Sequence, residues 1–190
     1  PEPFFSLDAI RSEPTGSQWT DSYSGSSLTL NSTLVKSDTE TAHVYFGSAS
    51  GTADLGDVFD GLSKVTVEMW IKFNDPGDSS FASRPFSFGT PSLGNDVTNM
   101  GYGLFFSQGN LVINTWQEDE YGFSASSLND AWHHVIWVAS TGARDTQKIY
   151  VDGVLKEFTL ETGPEGDRSV ISSGQIGINL QGGSSSADMK

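Results

Sequence analysis

Trp132-His133-His134-Val135-Ile136-Trp137-Val138, followed by Lys148-Ile149-Tyr150-Val151-Asp152-Gly153-Val154-Leu155-Lys156, decides the fold of this 190-residue chain. The first run alternates: Trp132, His134, Ile136 and Val138 face one way, His133, Val135 and Trp137 the other. Both sets carry apolar bulk, which predicts a strand buried on both faces inside a sandwich. The second run reads as a β-hairpin. Asp152-Gly153 supplies two residues that tolerate positive φ, set between the β-rich arms 148–151 and 154–158.

Outward from this core, strands are expected at 28–35, 42–47, 64–73, 86–89, 102–106, 111–116, 155–160 and 175–180, about ten in all with the two runs above. Residues 1–27 read as a lead-in segment with a turn at 19–25, and residues 28–190 as one domain. Residues 48–60 read as a Gly/Ala/Asp loop carrying Asp54, Asp57 and Asp60, and 182–186 as a flexible turn or linker. No window keeps an apolar period near 3.6. The fold class is therefore all-β: a two-sheet antiparallel β-sandwich of jelly-roll type. Trp70, Trp132 and Trp137 are assigned to its core.

The absence of cysteine excludes thiol catalysis, cysteine-ligated zinc and a disulfide framework. A net charge of −14, from 24 acids against 10 bases, leaves no basic stripe for phosphates, so no nucleic-acid partner is expected. No apolar run is long enough to span a bilayer, so no membrane insertion is expected.

Three motifs resemble the concanavalin A-like lectin/glucanase superfamily, in its laminin-G-like and pentraxin-like branch. They are the Trp-His-His-Val strand with its Tyr-Val-Asp-Gly hairpin, the strand Val65-Thr66-Val67-Glu68-Met69-Trp70-Ile71-Lys72-Phe73, and Gly101-Tyr102-Gly103-Leu104-Phe105-Phe106. The resemblance covers roughly residues 55–180 and implies one further strand after 174–178, lying centrally in a sheet. The sequence reaches Ala187-Asp188-Met189-Lys190 where that strand should begin. The last strand is therefore expected to be missing, either through truncation or because another chain donates it. The lack of a disulfide in the last hairpin departs from the animal laminin-G pattern and favours a bacterial, viral or algal source.

The superfamily contains glucanases and lyases, whose chemistry requires its own residue pattern. A Glu-x-Asp-x-x-Glu strand would aim its carboxylates into one cleft. The nearest cluster, Gln117-Glu118-Asp119-Glu120-Tyr121, has consecutive acids that point alternately, and the third Glu is lacking. No enzyme activity is expected. His133 and His134, adjacent on a strand, cannot chelate one metal from the same face. Ca2+ is the one cofactor left open, because a hard cation takes oxygens from acidic loops at a sandwich rim, where relatives in this family often hold it. The candidate ligands are Asn95, Asp96, Glu118, Asp119 and Glu120, with Asp54/Asp57/Asp60 as a competing cluster.

For ligand binding the resemblance implies carbohydrate. Sugars stack a C–H face on aromatic rings while their hydroxyls seek polar partners. Trp116, Gln117, Tyr121 and Phe123 are the candidates, with Trp19 and Tyr23 a weaker second pair. The expected function is a non-catalytic carbohydrate-binding or adhesion module, working outside the cell, at a cell surface or on a virion, with a glycan or polysaccharide as partner. The alternative is a structural or assembly module of a phage or viral particle or large surface protein, packed against neighbouring protein subunits. A divergent polysaccharide hydrolase or lyase is weaker still.

Overall fold

The computed structural model describes residues 18–22, 25, 27–30, 35–37, 43–45, 50–54, 64–73, 83–89, 100–107, 109–114, 120–128, 131–140, 146–162, 177–181 and 187–189. Within them lie the strands β1 (Gln18–Thr20), β2 (Ser27–Leu30), β3 (Val35–Ser37), β4 (His43–Tyr45), β5 (Ser50–Asp54), β6 (Lys64–Phe73), β7 (Ser83–Gly89) and β8 (Met100–Ser107). They continue with β9 (Asn110–Asn114), β10 (Glu120–Ser124), β11 (Trp132–Ser140), β12 (Lys148–Val151), β13 (Val154–Leu155), β14 (Leu160–Thr162), β15 (Gly177–Gln181) and β16 (Ala187–Met189). Among the described residues the helical structure is confined to 3-10 turns, such as Ser126–Leu128.

All pairings are antiparallel, in two sheets. One runs β1-β2-β5-β15-β7-β8-β9-β10-β14, the other β13-β12-β11-β6-β16-β4-β3. The all-β sandwich expected from the sequence is the observed architecture. The longest ladder joins β6 and β11, from Trp132 opposite Lys72 to Ser140 opposite Lys64. Alternation explains its one-sided core: Val65, Val67, Met69 and Ile71 of β6 and Val135, Trp137 and Ala139 of β11 are buried. The other sheet contributes Leu104, Leu111, Val112, Ile113 and Phe123. Full burial of an aliphatic side chain of this size is worth about 1.5–3 kcal/mol. The Trp137 indole N–H donates to Gln147 Oε1 at 3.3 Å, so its polar atom enters the core with a partner.

Four expectations are corrected. The slot expected to be empty is entered: Ala187–Met189 lies between β6 and β4, with Ala187 opposite Phe73 and Asp188 opposite both Lys72 and Tyr45. Within the segment read as a loop at 48–60, Ser50–Asp54 is a strand paired on both sides, by β2 and β15; ladder bonds there offset weak β propensity. Asp54 thus stands in a ladder, opposite Gly177. Likewise Glu120–Ser124 is not a loop but a strand paired with β9 and β14. Finally, Gln18–Thr20, within the segment read as a lead-in, pairs with β2 and buries Trp19. The turn expected beyond it is present, with Gly25 at φ 77° donating its N–H to the Asp21 carbonyl at 3.0 Å.

Candidate functional site

The face of β6 turned away from the core carries Lys64, Thr66, Glu68 and Trp70 exposed, with Lys72 half-buried. Trp70 is the large hydrophobic residue that breaks this polar row, and 45% of its surface is accessible. Its assignment to the core is therefore corrected: it shares its parity with Thr66 and Glu68, not with Val67 and Met69. The burial of β11 on both faces is corrected too. Trp132, His134, Ile136 and Val138 form a half-exposed outer row, and only the opposite row is sealed.

Register brings the site together. Trp70 lies directly opposite His134, and Glu68 opposite Ile136, one diagonal step away. The Trp70 and His134 rings stack at 5.0 Å between centroids and 25° between planes. The diagonal step carries a hydrogen bond: His134 Nε2–H donates to Glu68 Oε1 at 2.8 Å. A carboxylate only accepts, so this bond fixes the imidazole tautomer. Trp, His and Glu thus form one fixed group on an open sheet face.

The β12–β13 hairpin holds the end of β11 in place. Asp152 and Gly153 adopt φ of 52° and 78°, as the primed turn requires. In that turn Asp152 Oδ2 accepts from His133 Nδ1–H at 2.7 Å, and Oδ1 accepts from the His134 backbone N–H at 3.0 Å. The Asp152 backbone N–H donates to the His134 carbonyl at 2.9 Å. The Asp152 carboxyl is held below its ordinary pKa. The largest cause is the His133 side-chain hydrogen bond, followed by the His134 backbone bond, against a small opposing effect of burial. His133 Nε2, on the inward side, is buried without a hydrogen-bond partner.

The residues singled out from the sequence divide differently. Asn95, Asp96, Trp116, Gln117, Glu118 and Asp119 lie outside the described residues. Glu120 and Tyr121 stand in β10, opposite Asn114 and Ile113 of β9. Phe123 is a core residue at 7% exposure, with the Lys156 ammonium 5.8 Å above its ring. Trp19, from the second candidate pair, is buried. Among the described residues no group of three or more His, Cys, Asp or Glu is placed to hold a metal. Nor is any helix long and apolar enough to cross a membrane, which says nothing of strands. Sequence reasoning missed Trp70 although the signal was there: the parity of β6 alone puts it on the polar face. The stack on His134 depends on cross-strand register, which one strand read by itself does not contain.

Similar folds occur among solved structures. The receptor-binding domain of botulinum neurotoxin mosaic serotype C/D matches over 96% of this chain at 14% identity, with a TM-score of 0.60. The binding domain of botulinum neurotoxin DC, solved with rat synaptotagmin II, matches over 98% at 13% identity, with a TM-score of 0.61. A third neighbour is botulinum neurotoxin type C, which depends on interaction with two ganglioside molecules to enter cells; it matches over 98% at 14% identity, TM-score 0.59. This chain spans less than half of each neighbour, 47%, 45% and 45% respectively. Among characterised proteins none matches the sequence at a significant level. A laminin-G-type family model described as the concanavalin A-like lectin/glucanase superfamily matches residues 38–175, well over half of the chain. With that match and the observed sandwich together, the chain belongs to the concanavalin A-like lectin/glucanase superfamily.

Proposed function

We propose that this chain is a non-catalytic glycan-binding module that works outside the cell. The observation that carries this reading is Trp70: a large aromatic ring, 45% exposed, braced by His134 and set beside the Glu68 carboxylate. An exposed aromatic with a fixed acceptor at its side suits the mixed apolar and hydroxylated surface of a sugar ring. Ganglioside dependence in a neighbour of the same fold supports the reading by analogy.

The test is thermal unfolding against a panel of polysaccharides, in EDTA and in millimolar calcium. A ligand that binds only the folded chain raises the melting temperature. A sugar that does so for the native chain and not for Trp70→Ala supports the reading. If no sugar shifts the transition under either condition, the reading is wrong. A second reading, docking to a neighbouring protein subunit, is favoured by β13 at the sheet edge, where Val154 and Leu155 are 60% and 52% exposed.

A further inference from the structure

The chemistry around Trp70 points to the class of glycan. Glu68 is exposed, with 65% of its side chain accessible, and its Oε1 is already engaged by His134. A carboxylate has two oxygens and about four acceptor positions, so one bond leaves most of its capacity open. Among the described residues nothing else engages it. The bond to His134, which stacks on Trp70, draws the carboxylate toward the ring.

Such a group treats sugars unequally. Hydroxyls of an uncharged pyranose donate to the carboxylate while the C–H face lies on the ring. A sialate, uronate or sulfate brings like charge against Glu68 within a chain of net charge −14. The nearest outer-face cation on the same strand is Lys72, and its neighbour in register on β16 is Asp188. Lys64 and Lys148 lie toward the other end of the ladder, with Lys64 opposite Ser140 and Lys148 opposite Val138.

Resting on the glycan-binding reading above, we infer that the Trp70–His134–Glu68 group on the outer face of the β6–β11 ladder selects uncharged pyranose glycans, with Glu68 as the specificity-determining acceptor. The test is calorimetric titration with matched pairs: lactose against sialyllactose, and neutral agarose oligosaccharides against sulfated carrageenan oligosaccharides. The neutral member of a pair binds and the anionic member does not. Glu68→Gln weakens neutral binding about tenfold, since the charged acceptor is lost. Glu68→Lys narrows or reverses the preference. Both substitutions are on an exposed side chain, and unchanged unfolding curves confirm that the fold is kept. Tighter binding of an anionic member, or an unchanged Kd in Glu68→Gln, overturns this inference and leaves the glycan-binding reading standing. Failure of every sugar, neutral or anionic, overturns both.

Discussion

Removing the charge of Asp152 should weaken the fold in a way that depends on pH. The carboxylate accepts from His133 Nδ1–H at 2.7 Å and from the His134 N–H at 3.0 Å. Asn at this position keeps an acceptor for the backbone N–H and tolerates the left-handed φ of 52°, but turns an amide NH2 toward His133, so Asp152→Asn removes the charge together with the acceptor for His133 Nδ1–H. Two charge-assisted bonds in a dry site would be worth several kcal/mol. This side chain is 51% exposed, and water competes for both. The discounted loss is about 1–2 kcal/mol, a shift of a few degrees in melting temperature for a domain of this size. The sign follows from the lowered pKa. A carboxyl that ionises more readily when folded contributes fully above its unfolded pKa, about 3.9, and loses the contribution as pH falls through the folded value. Urea unfolding followed by tryptophan fluorescence, at steps between about pH 7 and about pH 2.5, reads this directly. The difference between native chain and variant should be full near neutrality and close once Asp152 is protonated in both states. A difference that stays constant across the range, or is absent at neutral pH, would refute the reasoning.

Other expectations follow from the same geometry. A Cβ on Gly122 would fall on the Leu111 carbonyl oxygen and lie 2.7 Å from Val112 Cα. Both are backbone atoms that cannot swing aside, so Gly122→Ala should cost more than about 3 kcal/mol in urea unfolding; near-native stability would contradict the β9–β10 spacing. Trp137→Ala, at a fully buried indole, should cost about 3–5 kcal/mol, whereas Trp70→Ala should change stability by less than about 1 kcal/mol. Comparable losses from both would mean that Trp70 is not on an open face. Calcium rests on the sequence rather than on this geometry: if Asn95, Asp96 and Glu118–Glu120 hold it, millimolar calcium raises the melting temperature relative to EDTA, and identical curves would retire the expectation.

The legible parts of the fold were those in which one strand states its own pattern. Val65, Val67, Met69 and Ile71 alternate without a break, and Lys64–Phe73 and Lys148–Val151 have the bounds observed. Asp152-Gly153 announced its turn because few other pairs accept positive φ at both positions. Ser50–Asp54 was missed because Ser-Gly-Thr-Ala-Asp has no apolar alternation; it is a strand through partners on both sides. Glu120–Ser124 does alternate, with Tyr121 and Phe123 on one parity, but the acidic run ahead of it masks that short pattern. At the site, the exposure of Trp70 could have been read from parity. The group that Trp70 forms with His134 and Glu68 needs strands sixty-odd residues apart set in register, and no local pattern encodes that.

The placement of β15 and β16 bears on how the molecule is assembled. Among the described residues β15 joins β5 to β7 and β16 joins β4 to β6, so these strands are brought together only when residues 177–181 and 187–189 arrive. The β16–β6 ladder links positions more than a hundred residues apart in the chain. Loop closure of that length comes before any reward from the pairing, and such non-local pairings raise the contact order, which slows folding. At about 5–20 residues per second of synthesis, the facing edges of β4 and β6 wait unpaired for seconds after their own residues have emerged. The nascent chain therefore passes through an interval in which open edges run through the middle of both sheets, and that interval is when it is most exposed to pairing with another copy.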